Sequence, residues 1–177
     1  EDKKYFVIHA PRQTGKTTQV AALAKQLNEG DQYTALYINV ESGQAAREDF
    51  RAVNQVVLGQ LRSQIRQQLP EEAWPEASCY PTERVDALQT FLSNWCPSLK
   101  KPLVLFIDEI DALIGDSLIS ILRQLRSGYI QRPQFFPQSV VLIGLRDVRD
   151  YRIHHASDKE PVASGSPFNI KDKSLVL

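Results

Sequence analysis

Tyr5-Phe-Val-Ile-His-Ala-Pro-Arg-Gln-Thr-Gly-Lys-Thr-Thr18 is the stretch on which the reading of this chain turns. It predicts an apolar strand, a tight turn, and a helix opening at Gly15-Lys16-Thr17. From Ala10 to Thr17 the residues follow the phosphate-binding loop G-x-x-x-x-G-K-[ST], with Ala10 in place of the first glycine. Such a loop aims successive backbone N–H groups inward, which here assigns Ala10, Pro11, Arg12, Gln13 and Thr14 to a concave anion nest. Pro11 favours the extended conformation that lets a residue with a Cβ stand at position 10. Gly15 admits the ligand close to the backbone. Lys16 supplies a compact charge for the β- and γ-phosphates, and the Thr17 hydroxyl is a ligand for Mg²⁺. Thr18 completes the first turn of a helix whose N-terminal dipole favours anions.

The flanks match what the motif needs. Phe6, Val7 and Ile8 precede it as a strand, and Val20, Ala21, Leu23, Ala24 and Leu27 follow at helical spacing as far as Asn28-Glu-Gly30, a stop signal. Thr34 to Val40 reads as a second strand. Phe50, Val53, Val57, Leu61, Ile65 and Leu69 predict a helix from about Ala45 to Leu69. Another helix carries Val85, Leu88, Phe91, Leu92 and Trp95, with Thr82 as its N-cap. Leu103 to Ile107 is a continuous apolar run, the pattern of a strand buried on both faces. A helix from Asp116 to Tyr129, a strand from Ser139 to Gly144, a polar loop from Arg149 to Ser166 and a short strand within Pro167 to Ile170 complete the expected order. Strands alternating with helices imply a parallel sheet covered on both faces, with ligands at the carboxyl ends of the strands.

The second informative stretch is Leu103-Val-Leu-Phe-Ile-Asp-Glu-Ile-Asp111. An apolar strand that ends in Asp108-Glu109 resembles a Walker B element. In that reading Asp108 reaches Mg²⁺, and Glu109 polarises the attacking water as a general base. A strand followed by an acidic helix cap gives the same letters, and the phosphate loop earlier in the chain favours the catalytic version. Asp111 reads as a capping or surface carboxylate.

Taken together, these motifs resemble the additional-strand class of P-loop ATPases, and within it the AAA+ ATPases and their STAND relatives. The resemblance spans Tyr5 to about Leu177. It implies a three-layer α/β/α fold around a central parallel sheet of strand order 5-1-4-3-2. It implies a single ATPase core over 1–177, cut before a helical lid, with ATP and Mg²⁺ as ligands. The chain contains no Met, which accords with a piece of a longer protein. After the strand Val140 to Gly144, Arg146 occupies the place where STAND proteins carry an arginine that reads the γ-phosphate; an ion pair with Asp147 or Asp150 is the plainer reading. Asn39 matches either a switch residue that restrains Glu109 or a strand-end Asn bonded to backbone. Arg123, Arg126 and Arg132 are available as arginine fingers, and none is singled out.

Composition bounds the rest. With 21 basic and 21 acidic residues the net charge is +0, so this segment gives no electrostatic sign of nucleic acid. No apolar run is long enough to span a bilayer and no signal peptide is present, which suggests a cytoplasmic location. Cys79 and Cys96 lack ligand spacing and read as reduced, partly buried thiols. His154 and His155 have no partner at metal-ligand spacing. The expected function is Mg²⁺-dependent ATP hydrolysis, slow in isolation, serving as a switch in a multidomain protein, with self-association or neighbouring domains as partners. The rivals are the ATPase of a DNA-handling machine, such as a helicase loader or a transposition protein, and a module that binds nucleotide without turnover. A small-molecule kinase fits Asp108-Glu109 less well.

Overall fold

A computed structural model of the chain describes residues 5–9, 15–81 and 84–144, and the backbone of 171–176. Five parallel strands form one sheet in the order β2-β3-β4-β1-β5. They are β1 (Tyr5–His9), β2 (Thr34–Asn39), β3 (Leu103–Asp108), β4 (Ser139–Gly144) and β5 (Lys171–Val176). The order β1-β4-β3-β2 of the first four is the one expected. The fifth strand is Lys171–Val176, beside β1; the expectation of a strand at 167–170 falls outside the described residues, as does the loop expected at 149–166.

Alternation of side chains assigns each strand residue to a layer. Ala35, Val104, Phe106, Val141 and Ile143 meet Val20 and Ala24 of α1 (Lys16–Glu29) in a small cluster. Leu36, Ile38, Leu103, Leu105, Ile107, Val140 and Leu142 belong to a much larger cluster with α2 (Phe50–Gln68), α3 (Ala87–Trp95) and α4 (Gly115–Gly128). Every residue of β3 and β4 is buried, which is why both read as unbroken apolar runs.

The helix ends depart from expectation for local reasons. α2 begins at Phe50, because Asp49 accepts hydrogen bonds from Arg51 N at 3.0 Å and Ala52 N at 3.1 Å, and Glu41–Ala46 forms a separate 3₁₀ turn. α3 begins at Ala87; Val85, expected on its apolar face, is exposed, and Thr82 lies outside the described residues. The α3 N-terminus is capped from outside by Gln124 of α4, whose Oε1 accepts from Leu88 N at 2.9 Å and Gln89 N at 3.2 Å.

The outer edge of β2 is closed by two side-chain amides. Asn28 accepts from Ala35 N at 2.7 Å and donates to Ala35 O at 2.8 Å. Gln68 does the same for Tyr37, at 3.0 and 2.7 Å. An open strand edge is a row of unpaired donors and acceptors, and these amides satisfy it without another strand.

Candidate functional site

The carboxyl ends of β2 and β3 and the start of α1 meet at one place. Gly15 precedes α1 with φ +77°, a left-handed conformation that a glycine adopts without a Cβ penalty. Helix periodicity then turns Lys16 inward, 7% exposed, and leaves Thr17 and Thr18 at the surface. The Thr17 hydroxyl donates to Asp108 Oδ2 at 2.8 Å across 91 residues of sequence. Asp108 is wholly buried at the end of β3. Its Oδ2 also accepts from the Tyr37 hydroxyl at 2.7 Å, and its Oδ1 accepts from Glu109 N at 2.8 Å. The Tyr37 phenol is pushed well above its ordinary pKa, first by burial and then by the Asp108 carboxylate, so it stands as a proton donor.

Glu109 is half-buried and in the left-handed region, φ 55° and ψ 39°. For a residue with a long side chain this is a strained conformation, of order 1–3 kcal/mol. Its carboxyl pKa is raised, first by desolvation and then by Asp111, Asp108 and Glu41, with Lys16 acting the other way. One carboxylate is thus set among three others and one ammonium at the end of the sheet.

Asp111 is half-buried in the first turn of the 3₁₀ segment Ile110–Ala112. Its Oδ1 is buried without a hydrogen-bond partner among the described residues, and a Cβ on Gly144 would come within 2.7 Å of it. Gly144 therefore lets Asp111 pack against the end of β4. Asn39 takes the plainer of its two readings, since its Oδ1 accepts from Glu41 N at 2.8 Å.

Arg132 is removed from the set of finger candidates. It stacks on Tyr129, 3.5 Å from the ring centroid, and donates to Tyr129 O at 2.6 Å and Gln138 O at 3.2 Å. Gln138 directly precedes β4, so this arginine serves the opposite end of the sheet. Arg123 and Arg126 are exposed on α4. Ala10, Pro11, Arg12, Gln13, Thr14, Arg146, His154 and His155 lie outside the described residues. Cys79 and Cys96 are free and buried.

Tyr37 is the member of the site that the sequence reading missed. The signal was present as period-2 alternation, which puts Tyr37 on the same face of β2 as Asn39. Its use required the register, in which Asn39 lies opposite Asp108.

Chemically, a hydroxyl and a carboxylate oxygen side by side are the hard donors that suit Mg²⁺. Among the described residues no group of three His, Cys, Asp or Glu is disposed to hold a metal by itself. A broad depression of about 1010 Å³, lined in part by Trp74, Ser93, Pro97 and Phe135, shares no residue with this site. It adjoins the segment that leads into the amino end of β3. No described helix is long and apolar enough to cross a membrane.

A family model described as AAA domain matches residues 1–151. No curated protein matches the chain.

Proposed function

The chain belongs to the AAA domain family, a family of P-loop ATP-binding and hydrolysing modules, and from that premise we propose that it binds Mg-ATP and hydrolyses it slowly as a nucleotide-controlled switch within a larger protein. The observation that carries this reading is the 2.8 Å contact between Thr17 and Asp108. It joins the two motifs whose side chains would share a magnesium ion. In this reading residues 10–18 cradle the phosphates, with Lys16 at the β- and γ-oxygens. Thr17 and Asp108 would hold Mg²⁺, which when bound would supply positive charge to the phosphates. Glu109 takes the proton of the attacking water. Its raised pKa makes it a stronger base than an ordinary glutamate, and its surroundings of like charge favour the protonated product of that step.

Arg146 is proposed as the reader of the γ-phosphate in the STAND manner. A charge-assisted bond of that kind is worth roughly 1.5–3 kcal/mol, so Arg146→Ala should lower ATP affinity about tenfold or more and leave ADP unchanged. A cytoplasmic location and self-association belong to the same proposal.

The test of the whole reading is calorimetric titration with ATP and Mg²⁺ of the parent and of Lys16→Ala. The parent should bind, and the variant should lose most of the affinity while its circular dichroism and thermal midpoint are retained. Equal affinity in the two would refute the assignment of the loop.

A further inference from the structure

Beyond the residues given a role above, one more side chain reaches the centre of the site. Tyr37 stands on β2 two residues before Asn39, the register partner of Asp108. A tyrosine there is long enough to cross to the neighbouring strand, and its hydroxyl donates to Asp108 Oδ2 at 2.7 Å. That oxygen is the one that also accepts from Thr17. Asp108 Oδ1 is taken by Glu109 N. Donors from three elements therefore fix the carboxylate in rotation as well as in place.

Tyr37 is itself held. Its backbone N–H donates to Gln68 Oε1 and its carbonyl accepts from Gln68 Nε2, at 3.0 and 2.7 Å. Gln68 is the last residue of α2, and Gln64, one turn earlier, accepts a second hydrogen bond from its amide at 2.6 Å. A continuous arm thus runs from the end of α2, through the edge strand, to the buried carboxylate.

We propose that Tyr37 is a positioning residue for Asp108, aiming the carboxylate at Thr17 and so setting the Mg²⁺ requirement of nucleotide binding. The proposal rests on the reading of the site as one for Mg-nucleotide. A hydroxyl bears one proton and two lone pairs, so Thr17 turns its proton or a lone pair according to what it meets. Tyr37 has no place among the metal ligands and donates to Asp108 with or without the ion. Partners of this outer kind are typically worth 10–100-fold in metal affinity or activity.

The test uses the 177-residue chain and Tyr37→Phe, which keeps the ring and removes only the hydroxyl. Affinity for a non-hydrolysable ATP analogue is measured by calorimetry in EDTA and across a Mg²⁺ titration. The expected result is a rise of about tenfold in the Mg²⁺ concentration that half-saturates the metal-dependent gain in affinity. Affinity in EDTA should match the parent, a split that a general loss of structure would not produce. A Mg²⁺ requirement unchanged or lowered in Tyr37→Phe, with the parent showing metal-dependent binding, overturns the role of Tyr37 alone. A parent whose nucleotide binding ignores Mg²⁺ overturns this proposal together with the reading on which it rests.

Discussion

Two buried polar clusters sit on opposite faces of the sheet, and they are built differently. On the α2–α4 side, Gln124 accepts from Leu88 N and Gln89 N and donates to Asn54 Oδ1 at 3.0 Å and Ser120 Oγ at 3.2 Å. Asn54 then donates to Val85 O at 3.1 Å. All the members are neutral, and both amides are occupied at oxygen and nitrogen. On the α1 side the centre is a carboxylate, Asp108, with hydroxyl and amide donors around it and further carboxylates beyond. The neutral cluster fixes how three helices pack. The anionic one gathers negative charge that the fold would hold more cheaply as apolar surface, which supports the proposed ligand site. The thin apolar layer beneath α1 lets that site open to solvent through Thr17, while the thick core opposite supplies the stability.

The contrast can be broken most sharply at Glu109. Glu109→Gln removes the base and keeps the shape, so turnover should fall about 100-fold or more, by the usual contribution of general-base catalysis, while Mg-ATP still binds. Steady-state hydrolysis beside calorimetry reads both, and parental turnover in the variant would end the catalytic assignment. Gln124→Ala addresses the neutral cluster. It orphans two helix N–H groups and the Asn54 carbonyl, and should lower stability by about 3 kcal/mol, read as a thermal midpoint roughly 10 °C lower. Nucleotide affinity below that midpoint should hold. A large loss of affinity would show that the two clusters are one unit.

Asp108→Asn is the converse change. The charge goes and the volume stays, so the Mg²⁺ dependence of binding should weaken about tenfold or more, with a much smaller effect on melting than Gln124→Ala. Greater damage to the fold than to metal dependence would make Asp108 structural. The smallest effect expected is a gain. Glu109→Asn places a residue that tolerates left-handed backbone where φ is 55°, and it should stabilise the fold by about 1 kcal/mol in denaturant titration. It also removes a carboxyl whose pKa is raised in the fold. A raised acid leaves stability highest below the unfolded pKa of about 4.3 and lost as pH rises through the folded value. The gain should therefore be larger at pH 7 than at pH 4, and a gain that is flat with pH would mean that strain alone is relieved.

Much of this was legible in the chain itself. Val20, Ala24 and Leu27 recur at helical spacing, and Leu103 to Ile107 is apolar without a break, because burial on one face or on two writes itself into sequence as a period. The Gly15-Lys16-Thr17 turn and the Asp108-Glu109 strand end were readable for the same reason, since the chemistry of each is local. Helix starts were less so. Ala87 opens α3 only because Gln124, 36 residues away from Leu88, caps it, and Phe50 opens α2 because Asp49 outcompetes the apolar pattern upstream.

The sequence by itself determined the class of fold, the order of its elements, and the residues proposed to bind phosphate, hold magnesium and activate water. Tertiary structure alone decided which polar side chains meet. Tyr37 reaches Asp108 because β2 and β3 pair in one register, and a shift of a single residue would turn it to the other face. Arg132, one of three finger candidates in the sequence, is engaged by Tyr129 and Gln138 at the far end of the sheet. One carboxylate oxygen of the half-buried Asp111 packs against Gly144. Periodicity is a property of neighbours along the chain, while a contact across many tens of residues is fixed by packing, and only the folded molecule contains it.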